Sequence, residues 1–480
     1  MSETLTWTGE TTPATDPNGP TGQLCRWLQD LKLSDVPSQI RERAKDILLD
    51  GIGCGIVGAH LPWSRVAVDA VSRFDGRGDR TLIGWGRTVP ATTAALLNGT
   101  FIQGFELDDF HPRAPLHSAA LVIPALLACA EERGGVSGTE FLLGAVAGFE
   151  VGPRVGLALH GPQMLTRGWH SGAVFGTHAA AAAAGVLLKL DAARFEDAFG
   201  LAATQSAGLM AAQYEAMCKR MHHGFSARNG LFAALVAAGG YTGIKRVFET
   251  PYGGYLSMFG EGYDPLPEEI ASGLGSRWET ESIVLKPYAA MGGLHASLDG
   301  IFALVAEKPI QSEAVASIDI ELSDALYHHG WWKLERPVTP VAAQMNVAYA
   351  IAAAILDGQA MVAQFAPGRI NQDDVWALIP KITAHHNATF DKGGPATKFN
   401  MRMVVKMTDG AQREIFTPTT RTISHPLTRE GTLEKFNTLT RDLLENERRT
   451  RIIESVLTIE TLADVTTLGR LLAAPIQPAF

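Results

Sequence analysis

The sequence has little cysteine, no excess of positive charge and no apolar run of bilayer length. Its four cysteines, Cys25, Cys54, Cys129 and Cys218, stand far apart in 480 residues. None belongs to a CxxC pair, which argues against zinc ribbons and thioredoxin-type chemistry. Cys54 and Cys129 lie in apolar stretches and read as buried thiols; a cytoplasmic, reducing setting is the expectation. Lys and Arg number 41 against 50 Asp and Glu, a net charge of −9, so no general pull toward nucleic acid follows. The longest apolar runs, near 179–188 and 119–130, are too short to span a bilayer, and no membrane partner is expected. Walker A, HExxH and GxSxG are all missing. The glycines of DGRGDR at Asp75–Arg80 follow no clear strand, so a dinucleotide fingerprint is not made there.

What is present is apolar and helical. Hydrophobic residues make up 46% and charged residues 19%, a composition tilted toward burial, in a chain too long for one small core. Residues 1–20 are polar and rich in Thr, Pro and Gly, and read as a disordered tail. From about Gly22 to Arg246 helix follows helix. Ser38 is a candidate cap for the first long one. Many of these helices are rich in Ala and Gly and apolar all round, so they should lie inside a helical mass. Near Trp278 the character changes. SIVLKPY is a short strand leading into a helix, VASIDIELSD alternates like a strand, and VAAQMNVAYAIAAAILDG is a helix closed by Gly358. The runs flanking Asp409-Gly410 form a hairpin signal. From Thr432 onward the chain is helical again. The fold class expected is mainly α: a helical domain over 21–280, an inserted α+β lid domain over 281–422, and a helical return over 423–480.

Four stretches carry chemistry. The first, GFELDDFHPRAPLHS, places Glu106, Asp108, Asp109, His111 and His117 just before a buried helix. It can be a solvated acidic loop, a transition-metal site or an acid–base wall. Its spacing matches no strong zinc pattern, and functional residues favour loops on rigid supports. In RGWHSGAVFGTH, His170 stands at a helix start, where backbone N–H groups attract anions; an ordinary Ser171 cap is the plain alternative. MCKRMHHGFSARNG gathers Lys219, Arg220, His222, His223 and Arg228. It is either a solvated basic turn or an anion cradle in which Gly224 and Gly230 allow close backbone approach. In LKPYAAMGGLHASLD, Lys286 and His295 lie where a strand passes into a helix. Cations to hold carboxylates, imidazoles to move protons and no metal signature together suit a small polycarboxylate handled by proton transfer.

In this order the four blocks resemble the MmgE/PrpD family, over nearly the whole chain from about Gly22. That family includes 2-methylcitrate dehydratases, cis-aconitate decarboxylases and an iminodisuccinate epimerase. ELDDFH…APLHSA and GLMAAQY…KR…HGFSARNG are most similar to the itaconate-forming decarboxylases of filamentous-fungal type. The resemblance implies a helical domain with an α+β lid, a homodimer, a site between the two parts, and no metal or organic cofactor. Carried over by motif, Glu106, His117, His170 and His295 take catalytic roles, while Asp109, Lys219, Arg228 and Lys286 bind substrate. Glu106, Phe110 and Arg228 stand where animal decarboxylases carry Asp, Thr and Lys. Arg228 keeps the cation without a titratable proton and is therefore assigned to binding. Met291 stands where other members place a polar residue. The activity implied is decarboxylation of cis-aconitate, or of a close alkyl analogue, with His117 as the acid and Glu106 as its orienting partner. An alkylcitrate dehydratase and then an epimerase are the alternatives.

Overall fold

The computed structural model describes residues 16–394 and 397–480, so most of the expected tail lies outside the described residues. The chain is 56% helix and 8% strand, which makes it mainly α. The first helix, Pro20–Asp30, begins with a proline at its first turn, where the missing N–H costs nothing. Ser38 does not cap the next helix: Pro37 holds the cap position and Ser38 is already the first residue of Ser38–Gly58.

The Ala-rich helix Gly176–Leu187 lies at the centre of the helical mass. Gly138–Ala158, Ala119–Glu132 and Cys218–Ala238 pack around it. Small residues set these distances. A methyl group added at Gly148 would sit 2.5 Å from the Val122 side chain, and one at Gly230 would sit 2.3 Å from the Thr177 carbonyl. Contrary to expectation, one helix does have the length and apolarity to cross a membrane. It is Gly138–Ala158, and it lies almost wholly buried among its neighbours. It also carries the fully buried pair Glu150 and Arg154. Glu150 accepts the backbone N–H groups of Glu279 and Thr280, and Arg154 donates to the carbonyls of Ser272 and Arg277, at 2.7–2.9 Å. These bonds fasten the loop before Lys286 to the helical core.

Beyond that loop, a four-stranded sheet runs in the order Ile382–His386, Val315–Leu322, Met401–Met407, Gln412–Thr417. The first pair is parallel and the others antiparallel. The Asp409-Gly410 turn joins the last two strands, with Gly410 at φ 88°, a conformation glycine adopts freely. Helix His295–Glu307 covers the sheet and packs on Val347–Asp357, which Gly358 closes in the left-handed region. After the sheet the chain returns: Arg429–Thr440 and Asn446–Leu457 pack against Ser38–Gly58.

Candidate active site

Helix Ala91–Ile102 ends four residues before Glu106, whose backbone is left-handed at φ 55°. A side chain other than glycine occupies that region only at a cost of about 1–3 kcal/mol, and contacts around it must offset the cost. Here they do. The buried Glu106 carboxylate meets Lys219, Lys286 at 3.0 Å and Arg220 at 3.4 Å, and accepts from Gln103 at 2.7 Å. Burial alone would raise its pKa. Lys219, Lys286, His117 and Arg220 overturn that and hold it well below the usual carboxylate range. One carboxylate among three cations leaves a positive excess.

Local structure explains how these groups meet. Asp109–Phe110 pairs antiparallel with Val284–Leu285, and Lys286 follows at once, so the ladder carries its ammonium to Glu106. The basic stretch is not a turn: it opens helix Cys218–Ala238. Helical spacing puts Lys219, His222 and His223 on one side. This helix crosses Ala91–Ile102 at glycines. A methyl group on Gly224 would lie 2.1 Å from the Leu96 carbonyl. The glycines thus bring two helices together rather than presenting backbone to an anion. Arg220 is braced by Gln344, at 2.5 Å, which itself holds the carbonyls of Phe105 and Ala289.

Facing the cations is a group of imidazoles. His117 Nδ1–H donates to the buried Asp108 carboxylate at 3.1 Å. Its ring lies edge-on to His223 (4.8 Å between centroids). His223 lies 5.2 Å from His170, and His170 4.4 Å from His222. Burial is the largest cause lowering the pKa of His170, His222 and His223. The neighbouring cations add to it, and His222 falls to about 4. These rings are neutral at physiological pH. Among the described residues, His170 Nδ1, His222 Nδ1 and both nitrogens of His223 have no hydrogen-bond partner. The rings do not converge on one point, and among the described residues no three His, Cys, Asp or Glu side chains gather as a metal site.

Between cations and imidazoles lies a cavity of about 130 Å³. Glu106, His117, His170, Lys219 and Lys286 all line it. Three expected site residues do not, and each has a physical reason. Asp109 points into the protein and caps the next helix, accepting from Ser118 and Ala119 N–H at 2.7 and 2.9 Å. Burial and the adjacent Asp108 push its carboxyl up. Arg228 follows Lys219 by two and a half helical turns and so faces the other way. It bonds Asn229 and lies over Phe225. His295 is fully buried, with Nδ1 on Thr422 Oγ1 at 2.9 Å and Nε2 on the Ala290 carbonyl at 3.2 Å. It holds the loop that carries Met291 rather than facing the cavity. Glu106 is also not the partner of His117; Asp108 is. Sequence reasoning missed that role, and it missed Lys398 and His329, which line the cavity from the sheet side. Lys398 stands in a turn and His329 near the end of the short helix Asp324–Gly330, with no motif around either. Phe110, Met291, Leu326 and Phe399 supply an apolar wall.

A positive floor, neutral imidazoles and a carboxylate-held histidine surround a small cavity, an arrangement whose chemistry suits a small anion with an imidazole beside it. The chain belongs to the MmgE/PrpD family: residues 22–265 match its N-terminal domain and residues 288–460 its C-terminal domain. It is 44% identical over 478 residues to the cis-aconitate decarboxylase-like protein oryM of Aspergillus oryzae, covering 96% of this chain and 99% of that one. Against the cis-aconitate decarboxylase of Aspergillus terreus the identity is 40%, over 96% of this chain and 97% of the relative. Against the human cis-aconitate decarboxylase it is 26%, over 94% of each.

Proposed function

We propose that this protein is a carboxy-lyase that converts cis-aconitate, or a close alkyl-substituted analogue, to itaconate or its analogue. The observation that carries the reading is the Glu106–Lys219–Lys286–Arg220 cluster facing His117 across a cavity of about 130 Å³. A tricarboxylate enters a site with surplus positive charge, and the apolar wall holds its carbon skeleton. The bond from the CH2 group to its carboxylate breaks and CO2 leaves. The electron pair spreads over the allyl unit as a dienolate, which the lysines stabilise without reorganisation. His117, held through Nδ1 by Asp108, delivers a proton from Nε2 to the far carbon, is left neutral with Nδ1–H still on Asp108 and regains a proton from solvent; the double bond ends at the carbon that lost CO2, as a vinylidene group. The neutral rings of His170 and His223 offer hydrogen-bonding nitrogens without adding charge. In this reading no cofactor takes part. The sheet-bearing part acts as the lid of a cytoplasmic homodimer, and the four free thiols suit that compartment.

Proton NMR of chelator-treated protein with cis-aconitate tests this. New vinylidene protons with release of CO2 are expected. Hydration to citrate or isocitrate would move the protein to the dehydratase branch instead.

A further inference from the structure

A second cleft, of about 880 Å³, lies outside the cavity, and Pro112, Pro162, Lys398 and Phe399 line both. Lys398 therefore stands at the junction between the outer cleft and the inner site. Its backbone is fixed, since the carbonyl accepts from the buried Ser323 hydroxyl at 2.8 Å. Three lysines line the cavity: Lys219, Lys286 and Lys398. The first two are committed to Glu106. Lys398 has no carboxylate within ion-pair distance among the described residues; its ammonium lies 5.3 Å from the Phe399 ring. Burial without a counter-ion pushes this ammonium down to about 8. A partly buried cation with no protein anion is relieved by an anionic ligand. Beside it stands His329, held neutral chiefly by burial and also by Lys398 itself.

We propose that Lys398 binds one of the substrate's carboxylates from the sheet side, completing a polyanion site whose other cations come from the helical side. This inference rests on the polycarboxylate reading above. It makes Lys398 a specificity residue: it selects a ligand with a further carboxylate beyond those that Lys219 and Lys286 hold.

The test is thermal stabilisation of the full chain by propane-1,2,3-tricarboxylate, comparing wild type, Lys398→Gln and Lys398→Arg. Wild type should be stabilised. Lys398→Gln should bind about tenfold more weakly, the worth of one modest charge-assisted contact, and Lys398→Arg should recover most of the loss. The unliganded melting temperature of Lys398→Gln should match wild type, because no ion pair is lost. In turnover of cis-aconitate the same variant should raise KM about tenfold with kcat nearly unchanged. Equal stabilisation of wild type and Lys398→Gln would overturn the role of Lys398 and leave the polycarboxylate reading standing. A fall in kcat with KM unchanged would likewise overturn it. No stabilisation of wild type by the tricarboxylate or by cis-aconitate would overturn both.

Discussion

Lys286 stands 180 positions after Glu106, yet its ammonium lies 3.0 Å from the Glu106 carboxylate and 3.2 Å from its backbone carbonyl. One side chain thus grips both the charge and the strained peptide of the residue that organises the site. The grip depends on the two-residue ladder before Lys286 and on the buried Glu150–Arg154 pair that anchors the preceding loop.

Removing the Glu106 charge should therefore damage stability as well as activity. Glu106→Gln removes the carboxylate that the buried Lys219, Lys286 and Arg220 all contact, and breaking a buried pair from one side costs about 3–5 kcal/mol. Denaturant unfolding should show a loss of that order, with Glu106→Asp retaining most of the stability. An unfolding midpoint for Glu106→Gln equal to wild type would refute the central place given to this carboxylate.

The proposed proton donor is separable from the fold. His117→Ala removes a partly exposed ring whose one protein hydrogen bond among the described residues is to Asp108. Its kcat/KM should fall about 10²–10⁴-fold with little change in melting temperature. Asp108→Asn should lower kcat in the same direction, because the asparagine no longer offers Nδ1–H a carboxylate that orients the ring for proton transfer from Nε2. Intact turnover in His117→Ala would sink the assignment.

Acid should unfold this protein through its buried imidazoles. His178, packed against Phe248 and Tyr255, and His295 are both driven to about 3, and His222 to about 4, in each case chiefly by burial. An unfolded histidine titrates near 6.5. Between those values the unfolded chain binds protons that the folded chain refuses, so stability is full above about pH 6.5 and drains as pH falls toward 4. Each such group adds a slope of about 1.4 kcal/mol per pH unit within its window. His178 lies outside the cavity, so His178→Leu should flatten the pH dependence of the denaturant midpoint while leaving the ligand response in place. An unchanged slope would show that His178 is already protonated or already exposed in the folded state.

The sequence by itself determined the elements and the chemical inventory. Periodicity marked the buried Ala-rich helices, Gly358 as a helix stop and Asp409-Gly410 as a hairpin turn, because these signals are local and follow from backbone sterics. Composition and spacing also picked out the stretches holding Glu106, His117, His170, Lys219 and Lys286, because clustered ionisable groups are costly in an apolar chain unless they are used. Only the tertiary structure decided which way each side chain faces. Asp109 and Asp108 are neighbours, yet one caps a helix and the other holds the histidine. Arg228 shares a helix with Lys219 but points to the opposite side, and His295 is consumed by Thr422 and a carbonyl. Lys398 carries no signal in the sequence at all. Its importance comes from being the one cavity lysine without a carboxylate among the described residues. That is a property of three-dimensional neighbours, and no residue spacing along the chain encodes it.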